Sequence, residues 1–222
     1  MDVRGEAVTI PAGEVLLPAD LSIPAEPVGV VLFAHGSGSS RHSPRNVSVA
    51  RHLNGGRLGT VLVDLLTPAE DEVDVATAEL RFDIGLLADR LAGVLDWLAT
   101  ERPFGAGPVG LFGASTGAAA ALVATARRPA LVRAVVSRGG RPDLAGPVLD
   151  QVRAATLLLV GGLDEQVITL NEQALSQLTS RAELRVIPGA THLFEEPGTL
   201  DQVAEAAAGW FHDHLHRHPA SV

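Results

Sequence analysis

The 222-residue chain has no cysteine. That absence removes disulfides, cysteine-zinc sites and thiol nucleophiles together. A cytoplasmic location is the default expectation for such a chain. Lysine is missing as well, and all 17 basic residues are arginine. In a sequence so rich in alanine and glycine, a G+C-rich coding bias accounts for this. Positive charge is in deficit: the net charge is −9, which argues against general nucleic-acid binding. No apolar run approaches the roughly 18 residues of a membrane span. The first residues, Met1 to Glu6, carry acids and have no apolar h-region, so neither a secretory signal nor membrane association is expected.

What is present is a core. Hydrophobic residues make up 46% of the chain, enough for one ordinary α/β domain over residues 1–222. The first segment reads as a hairpin: Ala7 to Ile10, a turn at Pro11-Ala12-Gly13, and a return from Glu14 to Leu17 continued by Leu21 to Ile23. Continuous apolar runs follow at Val28 to Ala34, Thr60 to Val63, Val109 to Phe112, Ala134 to Val136 and Thr156 to Val160. Strands that are apolar throughout are those covered on both faces. Leu184 to Ile187 is more polar and suits a position near an edge. Helical patterns lie between these runs, at Val47 to Leu53, Phe82 to Ala99, Ala118 to Arg127, Leu170 to Leu178 and Leu200 to Leu215. Strands alternating with helices predict a mostly parallel, doubly wound sheet with an N-terminal antiparallel hairpin.

Sites in such sheets form at the carboxyl ends of the strands, and here those ends are eventful. Gly113-Ala114-Ser115-Thr116-Gly117 joins an apolar strand to an alanine-rich helix. A chain with 23 glycines produces that pattern by chance in roughly one case in ten. The strand–helix context is what marks it as a nucleophile elbow, a sharp turn that lifts the serine hydroxyl clear of the sheet. A serine needs a base within hydrogen-bond reach, and the base needs an orienting acid. Asp164 and His192 follow two later strands, giving the chain order Ser, Asp, His. Glu165, Asp143 and Asp150 are nearby competitors for the acid, and the Gly161-Gly162-Leu163-Asp164 context favours Asp164. His35 reads as a brace for the loop His35-Gly36-Ser37-Gly38 rather than as a participant in chemistry.

These residues resemble an α/β-hydrolase of the dienelactone-hydrolase-like group. The resemblance rests on His35-Gly36-Ser37-Gly38, Gly113 to Gly117, Gly161 to Asp164 and Gly189-Ala190-Thr191-His192, and it covers nearly the whole chain. Dienelactone hydrolase proper uses a cysteine nucleophile. A serine at the elbow points instead to serine-esterase chemistry on a carboxylic ester, thioester or lactone. The resemblance implies a Ser115–His192–Asp164 triad, an oxyanion hole from the backbone N–H groups of Ser37 and Thr116, and no metal or organic cofactor. An acyltransferase would use the same intermediate, and a non-catalytic binding protein on the same scaffold is the rival from another class. Only Arg138 to Ala155 separates the strand after the elbow from the next apolar run, too little for a cap domain. The expected partner is a small ester; monomer and dimer stay open.

Two further features need a reading. Arg41, Arg45, Arg81, Arg138 and Arg141 gather in the loops expected around the site. They either pair with Asp64, Asp83 or Asp143, or bind an anionic substrate group, with Arg81 and Arg138 the first choices for that and Arg41 the third. His212, His214, His216 and His218 fall in pairs on two faces of the last helix, with no acidic or cysteine ligand to complete a site. A solvated terminal helix is expected there.

Overall fold

The computed structural model describes residues 3–101, 104 and 107–215. Its centre is an eight-stranded sheet in the order β1-β2-β4-β3-β5-β6-β7-β8. β1 (Val3–Ala12) and β2 (Val15–Pro24) form the antiparallel hairpin. β2 then pairs antiparallel with β4 (Leu58–Val63). The other pairings are parallel, through β3 (Gly29–Ala34), β5 (Val109–Ala114), β6 (Val132–Arg138), β7 (Ala155–Gly161) and β8 (Ala182–Ile187). β3, β4 and β5 are buried at every position, which is why they read as unbroken apolar runs. β8 is the polar edge.

Among the described residues, helices cover both faces. α1 (Pro44–Gly55) and α6 (Thr199–His214) pack with Phe33, Phe112, Leu157 and Leu159 on one face. α3 (Ile84–Glu101) and α4 (Thr116–Arg127) lie on the other, with Leu32, Leu111 and Leu158. α4 is buried from Thr116 to Thr125; its alanines let it sit close between α3 and the sheet. α5 (Glu165–Gln177) follows β7. α2 (Pro68–Thr77) was not expected. It is held by a capping box in which Thr67 and Glu70 each accept from the other's backbone N–H. Between β6 and β7 stands only a kinked 3-10 segment, Pro142–Gln151, so no lid covers the sheet end. The hairpin turn is shorter than expected, because β1 runs to Ala12 and pairs it with Val15.

From β3 the chain goes outward to β4, then returns to pair β5 on β3's other side. The order therefore reverses between β3 and β5, and the loops after those strands are His35 to Ser43 and the turn at Ser115. No helix among the described residues is long and apolar enough to cross a membrane. Of the terminal histidines, His214 donates from Nδ1 to the Trp210 carbonyl at 2.8 Å; His216 and His218 lie outside the described residues.

Candidate active site

Ser115 stands between β5 and α4 with φ 50° and ψ −123°. A non-glycine residue held there stores about 1–3 kcal/mol of strain, so the surroundings must impose it. The Ser115 N–H donates to the Arg138 carbonyl at 3.3 Å, and its carbonyl accepts from Ala118 N and Arg141 N, both at 3.1 Å. The flanking glycines are steric requirements. A Cβ on Gly113 would stand 2.4 Å from Ala118 Cα, and one on Gly117 would stand 2.4 Å from the carbonyl oxygens of both Ala34 and His35. Strand, helix and the β3 exit can meet only without those side chains.

The loop after β3 is tied to the elbow. Gly36 lies so close that a Cβ there would be 3.1 Å from Ser115 Cβ. His35 is the brace expected from the sequence. Leu65 N–H donates to its Nε2 at 3.1 Å, so the proton sits on Nδ1, which donates to the Gly36 carbonyl at 3.0 Å. Burial holds the imidazole below its usual pKa, outweighing the Gly36 bond and the charges of Asp64 and Asp71. It is therefore neutral, with both nitrogens occupied. Ser37 N–H donates to Thr116 Oγ1 at 3.0 Å, so the two residues expected to supply oxyanion donors are joined directly. Thr116, first residue of α4, has a backbone N–H that no helical carbonyl can reach.

Asp164 and His192 come together from adjacent strand ends. Gly161 is again obligatory, since a Cβ there would lie 2.5 Å from the carbonyls of Ala190 and Thr191. Leu163 N–H donates to Ala190 O at 2.9 Å, and these nested loops set His192 Nδ1 2.6 Å from Asp164 Oδ2. A carboxylate only accepts, so the proton belongs on Nδ1 and Nε2 is left as a free acceptor. Asp164 is 17% exposed and His192 39%. His192 also packs on the exit of β6, its Cε1 3.6 Å from the place of a Gly139 Cβ. That exit is the one whose Arg138 carbonyl holds Ser115.

Sequence reasoning missed three supports. Glu196 accepts from Thr191 N at 3.0 Å and from Thr191 Oγ1 at 2.7 Å, pinning the His192 loop. Phe194 is buried at φ 55°. Asn171, 0% exposed, donates to the Gly140 carbonyl at 3.0 Å and supports the Gly139-Gly140 turn. The acid-and-aromatic run Phe194-Glu195-Glu196 just after His192 was the available signal.

The arginines separate. Arg41 bonds both oxygens of Asp64, from its backbone N–H and its guanidinium, and its Nε is 3.3 Å from Asp20. Arg81 donates from Nε to Asp74 Oδ2 at 2.6 Å and from Nη2 to the Asp74 carbonyl at 2.8 Å. Burial pushes the Asp74 carboxyl up, but backbone and side-chain bonds from Arg81 outweigh it and hold it below its usual range. Arg141 forks onto Asp143 at 2.9 and 2.8 Å. Arg138 has no carboxylate partner among the described residues. Beside the elbow, a cavity of about 810 Å³ runs from His35, Ser37 and Ser40 to Asp71, Val75 and Arg81.

Residues 29–182 match the family model of the alpha/beta hydrolase fold. The chain belongs to the α/β-hydrolase family. The dienelactone hydrolase of Anabaena variabilis is 56% identical, with a TM-score of 0.94 over 96% of this chain and 99% of that one. An α/β serine hydrolase without lid from Xanthomonas campestris superposes with a TM-score of 0.75 at 23% identity, covering 100% of this chain and 99% of its own. Two curated relatives from Mycobacterium tuberculosis, provisionally named phosphoribosyl transferases, are 56% identical over 213 residues, 96% of this chain and 47% of theirs. The chain thus spans about half the length of those relatives. In α/β-hydrolase terms, it is dienelactone-hydrolase-like with serine at the elbow.

Proposed function

We propose that the chain is a serine esterase, cleaving small carboxylic esters, thioesters or lactones through an acyl-enzyme on Ser115. The observation that carries this is the Asp164–His192 pair at 2.6 Å, with His192 against Gly139, the residue after the Arg138 carbonyl that accepts from Ser115 N. His192 Nε2 takes the Ser115 proton as Oγ attacks the ester carbonyl, and Asp164 holds the imidazole tautomer and stabilises its cation. The oxyanion is received by backbone N–H groups of Thr116 and Ser37, the latter leaving or sharing its bond to Thr116 Oγ1. One such donor contributes about 3 kcal/mol to the transition state. The alkoxide departs with the proton from His192. Water then attacks the acyl-enzyme by the same route, and the 39% exposure of His192 supports water as the acceptor.

We assign the transferase name of the longer relatives to the part of them that lies outside the match. An open, lidless cleft suits small or extended esters. A fluorophosphonate probe tests the proposal together with p-nitrophenyl esters of graded length. Wild type should label and turn over short esters, and Ser115→Ala should do neither. An unlabelled wild type, or equal labelling of the variant, refutes it.

A further inference from the structure

The cavity of about 810 Å³ begins at Ser37, next to the elbow, and runs to α2. That is the size of a typical small-molecule site. Its cations are already committed. Arg41 is held by Asp64 and Asp20, and Arg81 spends Nε and Nη2 on Asp74. Three aspartates, Asp64, Asp71 and Asp74, stand in the lining against those two arginines, and His35 is neutral. An anionic group entering here meets a wall of net negative charge.

What the lining has to spare is hydrogen-bonding capacity. Ser43 is 7% exposed, yet its hydroxyl neither caps α1 nor makes another bond among the described residues. A polar group so deeply placed calls for a partner, and Ser43 lines the cavity. Ser37 and Ser39 add two hydroxyls that are also without partners among the described residues. On α2, Asp71 lines the same space with no ion pair or side-chain bond among those residues, and its charge is felt at His35. Arg81 keeps Nη1 over, 3.5 Å from the place of a Gly38 Cβ. Serine hydroxyls donate and accept, a carboxylate accepts, and a charge-compensated guanidinium donates. Together they complement hydroxyl groups on a ligand. Leu66 and Leu87 give the cavity an apolar floor for the C–H face of such a ligand. A hydrocarbon chain would dehydrate the serines and Asp71 and return no bonds. Among the described residues no Phe or Trp lines the cavity, so it lacks the aromatic wall that holds a quaternary ammonium group.

We propose that this cavity receives a neutral polyhydroxylated group, so that the ester cleaved at Ser115 is an acylated sugar or the lactone of a sugar acid. This rests on the serine-esterase reading. In either case water and the ester give one acid and one alcohol, and the hydroxylated part lies between the Ser37 loop and α2.

Two matched pairs test it, with acid release followed in a pH-stat and each rate divided by that compound's own alkaline hydrolysis. Methyl 6-O-acetyl-glucopyranoside against cyclohexylmethyl acetate places the hydroxyls on the alcohol. D-glucono-1,5-lactone against δ-valerolactone places them on the acyl group. In wild type, kcat/KM should favour the hydroxylated member of at least one pair by about tenfold or more, and the larger ratio identifies the source. That ratio should fall about tenfold in Asp71→Ala, as for one lost bond to a charged group, and about threefold in Ser43→Ala. The deoxygenated members should be unaffected. Asp71 is exposed, so Asp71→Ala decides the matter even if Ser43→Ala folds poorly. No preference in either pair overturns the proposal, as does a preference that Asp71→Ala leaves unchanged. Thermal unfolding of full-chain Ser115→Ala with the same four compounds reads binding alone. The hydroxylated member should raise its Tm, and should do so less in Ser115→Ala/Asp71→Ala; equal shifts overturn the proposal. If Ser115 proves unreactive, the esterase reading fails while this thermal comparison still decides what the cavity binds.

Discussion

Replacing Gly117 by alanine tests the claim that the elbow exists only because backbone meets backbone there. The added Cβ would stand 2.4 Å from the carbonyl oxygens of Ala34 and His35 and 2.8 Å from the Ala34 carbonyl carbon. Carbon–oxygen contacts are comfortable at about 3.3 Å or more, so α4 and the β3 exit must separate by about 1 Å. No side chain can rotate away, since all three atoms belong to the main chain. Overpacking of this kind costs about 1–3 kcal/mol, and rigid neighbours put Gly117→Ala at the upper end. For a chain of this size that lowers Tm by roughly 6–12 °C. The same displacement moves the His35-Gly36-Ser37 loop away from Ser115, and a 1 Å misplacement costs about a hundredfold in rate. Urea or thermal unfolding gives the first quantity, and kcat on a short p-nitrophenyl ester gives the second. Gly209→Ala is the control: Gly209 is exposed on α6, with nothing within 4 Å of the added atom. It should gain up to about 1 kcal/mol by helix propensity and leave turnover alone. A Gly117→Ala protein with wild-type Tm and kcat would refute the steric account.

Three other outcomes follow from the site. Asp164→Asn should fold normally and lose about 10⁴ in kcat, because the amide favours the wrong tautomer of His192; kinetics near wild type would remove Asp164 from the triad. His35 has a folded pKa below its unfolded value, so its contribution is complete above pH about 6.5 and is lost as pH falls from there through the lower folded pKa, by at most about 1.4 kcal/mol per unit. The Tm difference between wild type and His35→Gln should therefore narrow from pH 7 to 5, and a constant difference would exclude the linkage. Asn171→Leu should cost about 1–3 kcal/mol by stranding the buried Gly140 carbonyl and should slow turnover by loosening the turn behind His192, measured by unfolding and by kcat.

The strands were legible because burial on both faces leaves no polar positions, as in β3 and β5. The elbow was legible because its glycines are dictated by contacts that tolerate no substitute. α2 was not, because its apolar residues, Val73 and Val75, are exposed and write no helical stripe. Its signal was the Thr67–Glu70 capping box. The segment after β6 hid for another reason: Gly146 at φ 53° and Pro147 break its periodicity. Pairing of arginines depended on these hidden pieces. Asp64 and Asp143 were foreseeable partners, for Arg41 and Arg141. Arg81 instead uses Asp74 on α2, and Asp83 caps α3 by accepting from Leu86 N at 2.9 Å. That Arg138 meets no carboxylate among the described residues could not be read from the sequence, since it depends on which face of β6 each side chain takes.

α6 has a consequence for synthesis. Its Phe211 ring lies against Gly110, where a Cβ would stand 2.6 Å away, and Val203, Ala207, Trp210 and Phe211 complete one face of the sheet. A ribosome makes this helix after every strand it covers. Until α6 emerges, Phe33, Phe112 and Leu157 present bare apolar surface on the nascent chain, and the strand leading to Ser115 lacks its backing. A growing chain of this kind should be a chaperone client until α6 is made, and should gain its fluorophosphonate reactivity only after α6 has left the exit tunnel.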